Sequence, residues 1–504
     1  MNYFQRIKIF FLISFIFTSS IEAKDTPSAI IEGLFHSTKK ADTIQLQYFQ
    51  YYFFSLDKQH GRIFTCIAHN GKFKFRLTGI SRIGYFKLNL STIFENHKLL
   101  DLYLLEAGDS VFINATNPII IFSGKGSEKF QCRYTADTVQ IEEHTEEETR
   151  RVSDGSPLRT ADNLFDYELM GKKRLDSLLA ERLSIVEKFH EKVPPGIITL
   201  LKTDYIGDYY FNFFYRMRLI FHMDPDTIVS QKAMFRFYSN FFKNFTADTS
   251  DPETKIKSRS YVDFLLQKVK LEAMLVKSGY KTPFKDYEFG TLYHLIEDNY
   301  GALIRERLLA SAFEGLFTSV DSVDEYLPHA IAQVNDPYFK EMLLVLATTK
   351  LRGSNAYPFH LENQFGQIVK LSDFKGKIVV VHFWYTGCGA CSLLGVGLKK
   401  VSHDFKGNKN LVFLTINIDK DIRVWKESLK KGLYTSGDEI NLNTGSMGDE
   451  HPLIRYYQIT AFPELFIIDR RGKIFSTHPQ WPWNANPEKV KQFESQLNDA
   501  LQDG

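Results

Sequence analysis

The chain has 504 residues, 44% hydrophobic and 24% charged, an ordinary globular composition that at roughly 150 residues per domain implies about three domains. Lys and Arg total 62 against 60 Asp and Glu, and the resulting net charge of +2 gives no electrostatic case for a nucleic-acid or acidic-membrane partner. Four cysteines are too few for a disulfide scaffold at this size.

Residues 1–23 read as a secretory signal peptide: Arg6 and Lys8 precede an apolar run at 9–17, and Ile21-Glu22-Ala23 ends a small, polar cleavage region. An uncleaved anchor is the alternative, but the run is only about half of the ~20 residues a spanning helix needs. No Cys occurs before Cys66, so no acceptor for lipidation stands beside the cleavage site. No other segment is long and apolar enough to span a bilayer, so the mature chain is expected to be soluble outside the cytoplasm, in the periplasm or cell envelope of a bacterium.

Residues 24–137 alternate like a small all-β sandwich or barrel. Strands are predicted at 43–54, 62–67, 72–77, 83–90, 101–105, 111–114 and 118–122. His69-Asn70-Gly71 makes a hairpin turn between the second and third, and Gly108-Asp109 another turn. Cys66 and Cys132 lie here, either paired with each other or held as small hydrophobes, and are expected to take no part in an active site.

Residues 138–162 form an acidic linker, with Glu142, Glu143, Glu146, Glu147 and Glu148 before Asp154-Gly155-Ser156-Pro157. A solvated linker explains the run better than an acidic docking tail. From 163 to 352 the period becomes helical. Leu175, Leu178, Leu179, Leu183, Val186 and Phe189 share one face, and Pro194-Pro195-Gly196 ends that helix. Further helices are predicted at 235–245, 261–276, 292–317 and 338–348, their aromatic stripes forming core. His222-Met223-Asp224-Pro225-Asp226 reads as a turn with a helix N-cap rather than a metal cluster, and no zinc-type spacing occurs in the sequence. No metal or other cofactor is implied.

After a short polar linker, residues 353–504 change character again. Short strands at 359–361 and 367–371 lead to a continuous apolar run at 378–384, which suits a buried parallel strand. Thr386-Gly387 turns the chain into a helix from Cys388 to about 405. A strand at 411–419, a helix at 421–431, a hairpin around Arg470-Arg471-Gly472 and a closing helix at 487–501 complete the order. The segment 432–450, polar and rich in glycine, is expected to be a mobile insertion at the substrate entrance.

Cys388-Gly389-Ala390-Cys391 stands where the strand hands over to the helix. A helix N-terminus carries partial positive charge and free N–H groups, so a thiolate on Cys388 is stabilised there and its pKa should fall. That order makes Cys388 the attacking thiol and places Cys391, one turn on, to resolve a mixed disulfide. A structural disulfide or half of a zinc site are the alternatives.

This part of the chain resembles the TlpA/ResA-like thiol–disulfide oxidoreductases, extracytoplasmic bacterial thioredoxins. The likeness rests on Leu371-Ser372-Asp373-Phe374-Lys375-Gly376-Lys377, His382-Phe383-Trp384, the Cys388–Cys391 motif, Tyr457-Gln458-Ile459 through Pro463, and Ile467-Ile468-Asp469. Leu104-Leu105-Glu106-Ala107-Gly108-Asp109 and Gly124-Lys125-Gly126 resemble the β modules that precede such domains in Bacteroidetes proteins. The implied fold class is multi-domain: a C-terminal α/β thioredoxin-like fold behind a small all-β domain and a mainly helical middle region.

The resemblance implies that Pro463 is a cis-proline beside the disulfide and that the backbone of Phe462 pairs with an extended substrate, flanked by Trp384 and Tyr385. His382 takes the strand position where thioredoxin has a buried carboxylate. It either relays a proton during resolution or is a neutral core histidine. Leu394, three residues after Cys391, departs from the acid that ResA-like members often carry, which weakens any inference to cytochrome maturation. The implied partners are protein thiols and disulfides and a membrane electron donor. A thiol peroxidase is an alternative, although Val381 and Tyr385 stand where its usual Pro and Thr would precede the Cys. A non-enzymatic envelope protein with a sensing redox domain is another.

Overall fold

The computed structural model describes residues 27–503 except 38–39, 54–60, 81, 90–100, 117–118, 140–159, 224–226, 244–249, 280, 282–286, 315–322 and 436. The signal segment, most of the acidic linker and the Asp224-Pro225-Asp226 turn therefore lie outside the described residues. Among the described residues, no helix is long and apolar enough to cross a membrane.

The first region is one sheet of eight strands: β1 (Ser28–Phe35), β2 (Ala41–Phe49), β3 (Arg62–His69), β4 (Lys72–Thr78), β5 (Gly84–Asn89), β6 (Tyr103–Leu105), β7 (Ser110–Ala115) and β8 (Ile121–Lys125). Their spatial order is β6-β5-β2-β3-β4-β1-β7-β8, antiparallel except for the β1–β7 pair. Alternation drives it: Phe73, Phe75 and Leu77 of β4 face the core while the lysines and arginine between them face outward. β1 was not among the predicted strands. Its alternation is real, burying Ala29, Ile31 and Phe35, but Gly33 and Ile30 blur it in sequence.

The region is also not purely β. Residues 127–137 form a helix, α1 (Ser127–Asp137), that packs Phe130 against Phe86, Tyr103 and Phe122. Buried Lys129 anchors it to the β6–β7 turn, reaching Asp109 at 2.7 Å and Glu106 at 2.9 Å. Removing one partner of a buried pair strands the other charge. Lys129→Ala should therefore destabilise this region by roughly 3 kcal/mol. A urea unfolding curve checks this, and a loss near zero would show that the pair does not hold the helix.

The middle region contains α2 (Ala161–Glu187), α3 (Pro195–Met223), α4 (Thr227–Phe241), α5 (Pro252–Lys257), α6 (Tyr261–Lys277), α7 (Phe289–Asn299), α8 (Ala302–Glu314), α9 (Val323–Gln333) and α10 (Pro337–Thr349). α3 was missed because Pro195 was read only as a terminator, whereas it opens the next helix, where its fixed φ and missing N–H cost nothing. The single helix predicted at 292–317 is two, broken at Tyr300-Gly301.

The sheet and the helices share a core. Phe49, Tyr85, Leu104 and Cys132 pack with Val186, Ile197, Leu201 and Tyr205. The Tyr85 hydroxyl donates to buried Asp204 at 2.8 Å, and Arg307 donates to the carbonyl of Tyr52 at 2.6 Å. Cys66 and Cys132 are not bonded to each other; burial pushes the Cys132 thiol up to about 12, which leaves it unreactive at neutral pH.

The third region is a seven-stranded sheet ordered β10-β9-β13-β12-β11-β14-β15. The strands are β9 (His360–Asn363), β10 (Ile368–Lys370), β11 (Ile378–Trp384), β12 (Leu411–Asn417), β13 (Ile440–Asn443), β14 (Glu464–Ile468) and β15 (Ile474–Ser476). Helices α11 (Gly389–Asp404), α12 (Ile422–Lys431), α13 (Pro452–Tyr456) and α14 (Pro487–Gln502) cover it. β11 and β12 are parallel, and β14 returns antiparallel on the other side of β11. One sheet face packs Val379, Val381, Phe383 and Phe466, the other Ile378, Val380, Leu394 and Phe493.

The segment 432–450 is not a mobile insertion. Gly432 caps α12 in the left-handed region, Tyr434 is buried, and β13 pairs with both β12 and β9.

Candidate active site

β11 lies between β12 and β14 with all seven residues buried, and this rigid strand delivers the chain to the C-terminal edge of the sheet. Gly387, at φ 96°, then makes the turn that a side chain would resist. Cys388 follows as the N-cap of α11, and the backbone N–H of Cys391 donates to its Sγ at 3.0 Å. The two cysteines form a disulfide. Cys388 is 4% exposed and Cys391 fully buried, so Cys388 is the more accessible residue of the pair.

The turn before Cys388 is held by hydrogen bonds to two partners, Asp419 and Tyr434. Thr386 donates both its N–H and its hydroxyl to the Asp419 carboxylate. The N–H of Gly387 donates to the Tyr434 hydroxyl at 2.9 Å. Asn417 and Asn443 brace Asp419 in turn, through the Asn417 amide at 2.9 Å and the Asn443 amide on the Asp419 carbonyl at 3.1 Å. None of these supports was read from the sequence. An Asp two residues after an apolar strand, facing a Thr-Gly turn, was the available signal.

Phe462–Pro463 is a cis peptide, and the Phe462 carbonyl oxygen lies 3.8 Å from Cys388 Sγ. Tyr385, 39% exposed, meets Phe462 edge to face at 5.8 Å. Beside them runs a cleft of about 520 Å3 whose lining includes Tyr385, Ile418, Asp449, Arg455, Ile459 and Phe462.

Trp384 is not at this surface. It is fully buried, stacked on Tyr434 at 4.6 Å and clustered with Trp425 beneath the disulfide. Strand alternation explains the correction: Trp384 shares the face of His382 and Val380 under α11, while Tyr385 is the first residue to leave the strand.

His382 is buried as well, and neither ring nitrogen has a hydrogen-bond partner among the described residues. Burial lowers its pKa to about 3. Protonating it at pH 7 would cost roughly 5 kcal/mol, so a relay passing through the imidazolium is disfavoured against the neutral core role. Leu394 is fully buried in the apolar layer between α11 and the sheet, an environment that would not hold an unpaired acid. Glu464, directly after Pro463, is buried on the other face of β14, and desolvation pushes its carboxyl up to about 8. Among the described residues, no group of three or more His, Cys, Asp or Glu could hold a metal ion.

Residues 353–476 match the AhpC/TSA family. The third region thus has a thioredoxin-like fold. It is 25% identical over 126 residues to the thioredoxin-like protein YneN of Bacillus subtilis, covering 25% of this chain and 70% of YneN. It is 26% identical over 122 residues to the thiol–disulfide oxidoreductase ResA of the same organism, covering 24% of this chain and 64% of ResA, just under two thirds of that protein. Among solved structures it is similar to the thioredoxin domain of a Bacteroides vulgatus thiol–disulfide oxidoreductase, at 23% identity and a TM-score of 0.25, covering 30% of this chain and 97% of that domain.

Proposed function

We propose that this chain is an extracytoplasmic thiol–disulfide oxidoreductase that exchanges disulfides with protein substrates through the Cys388-Gly389-Ala390-Cys391 dithiol. The observation that carries the reading is the placement of Cys388 Sγ: at the N-terminus of α11, beside the Phe462 carbonyl, with its partner sulfur buried behind it. The signal-like segment at 1–23 supports export, and a membrane-bound donor would return electrons to the disulfide.

In the reducing direction, the Cys388 thiolate attacks one sulfur of a substrate disulfide. A mixed disulfide forms and one substrate sulfur leaves as thiolate. Cys391 sulfur then attacks Cys388 Sγ, the Cys388–substrate bond breaks, and the Cys391 proton ends on the leaving substrate thiolate. The protein is left oxidised and the substrate doubly reduced. The substrate lies extended along Phe462-Pro463 and against Tyr385, main-chain pairing giving modest, sequence-tolerant affinity. Trp384 supports the disulfide from below. His382 stays neutral.

The test is reduction of insulin by the full mature chain with dithiothreitol as electron source. The wild type should accelerate it, Cys388→Ser should abolish the acceleration, and Cys391→Ala should retain bound substrate as a mixed disulfide. Wild-type rates in Cys388→Ser, or turnover of hydrogen peroxide in place of insulin, would overturn the proposal.

A further inference from the structure

Tyr434 lies between α12 and β13 and is buried in one cluster with Trp384, Trp425, Cys388 and Cys391. It meets the strand, the turn and the helix around the disulfide. Its ring stacks on Trp384, the last residue of β11, at 4.6 Å with 18° between the planes. Its hydroxyl accepts the N–H of Gly387, the residue before Cys388, at 2.9 Å. Its carbonyl oxygen lies over α11 at Gly395, where an added Cβ would come within 2.6 Å of it. Lys399, one turn further along α11, donates to the Gly432 carbonyl and ties the same segment to the helix.

In the oxidised protein the S–S bond tethers Cys388 to α11. Reduction removes that tether. Cys388 then stays at the N-cap, its Sγ accepting the Cys391 N–H, only while the turn before it keeps its place. The side chains that hold this turn are Asp419, on Thr386, and Tyr434, on Gly387. The second acts next to Cys388 in the chain. Gly387 has no side chain to restrict its peptide, so without its acceptor the Gly387 N–H leaves the turn free to rotate. A thiolate that moves off the helix N-terminus loses the N–H and the dipole that stabilise it.

From these contacts we propose that Tyr434 is a positioning residue for disulfide exchange: in the reduced protein its hydroxyl fixes the Gly387 peptide and so keeps the Cys388 sulfur on the N-terminus of α11. The inference rests on the exchange reading above. Tyr434 gains and loses no proton or electron in the exchange; it acts through Gly387.

Tyr434→Phe removes the acceptor, keeps the ring on Trp384 and changes no charge. The ionisable groups on the packed elements stay as they are: Asp419 on Thr386, Lys399 on Gly432, and His382 and Glu464 buried on β11 and β14. The readout is iodoacetamide labelling of Cys388, followed by peptide mapping across pH in the reduced full mature chain. In Tyr434→Phe the pH of half-maximal labelling should rise. At pH 6 labelling should slow about threefold, because the loss of thiolate outweighs the gain in intrinsic nucleophilicity. Insulin reduction should slow by a similar factor. Gly395→Ala should act in the same direction by displacing the Tyr434 carbonyl while leaving the hydroxyl in place. A merely structural tyrosine would lower the urea midpoint and leave the pH of half-maximal labelling where it is. That outcome, or a fall in that pH, in either variant overturns the role given to Tyr434. A wild type inactive toward insulin would count against the exchange reading instead, and the labelling comparison would still decide on Tyr434.

Discussion

In the reduced protein at pH 6, iodoacetamide should alkylate Cys388 at least about 100-fold faster than Cys391. Two effects act in the same direction. Cys388 Sγ is the N-cap of a sixteen-residue helix and accepts the Cys391 N–H at 3.0 Å, so its thiolate meets both a donor and the positive end of the helix. Cys391 lies fully buried among Trp384, Trp425 and Tyr434, where an anion is desolvated. The larger thiolate fraction of Cys388 and its better access act together, and the nucleophilicity that falls with thiol pKa offsets only part of the first. Peptide mapping after a short pulse reads it directly. Equal labelling, or faster labelling of Cys391, would reverse the roles assigned to the two sulfurs.

How far this site was legible in sequence depends on whether its parts are local. The run at 378–384 is apolar throughout, and a strand buried on both faces has that pattern regardless of context. The turn, the cysteine spacing and Pro463 are likewise short signals. The facing of Trp384 was not legible, because a run without polar residues does not mark which of its two faces lies under α11. β13 was hidden for the opposite reason. Its Asn441 and Asn443 look like loop residues, yet both are buried, Asn441 accepting from Thr415 at 2.8 Å and Asn443 donating to the Asn417 side chain at 2.7 Å. Polar residues that are satisfied inside a core cannot be told from solvated ones by composition.

The same limit applies at larger distance. Tyr85 and Asp204 are 119 residues apart, and Arg307 reaches Tyr52 across 255, so the joining of sheet and helices into a common core had no local trace. The acidic run at 138–162 marks a break along the chain; the apolar core continues past it through Phe49, Tyr85 and Tyr205. For His382, sequence supplied the position and two roles. Burial with no hydrogen-bond partner among the described residues favours the neutral form.

That burial has a second consequence, in the pH dependence of stability. His382 and His478 are both held at about 3 by desolvation, below the ordinary histidine value of 6.5. Unfolding releases them to bind protons, so each contributes stability that is present above about 6.5 and is lost as pH falls toward 3. Between pH 7 and pH 5 the loss is roughly 2 kcal/mol per histidine. Glu464 acts on the other side. Its carboxyl is raised to about 8 from an ordinary 4.5, so the folded state holds a proton that the unfolded state has released. The domain loses roughly 3 kcal/mol from this group between pH 4 and pH 7, and more as pH approaches 8. The stability of the redox domain should therefore pass through a maximum and fall on both sides. All four tryptophans of the chain, at 384, 425, 481 and 483, lie in this domain, so urea unfolding followed by tryptophan fluorescence reports on it alone. His382→Leu should flatten the acid limb by roughly 2 kcal/mol at pH 5. Glu464→Gln should be close to neutral at pH 4 and stabilising by roughly 3 kcal/mol at pH 7, because it fixes the uncharged form that the site already prefers. A Glu464→Gln effect that is the same at both pH values would show that this carboxyl is ionised in the folded protein, with its charge balanced where it sits.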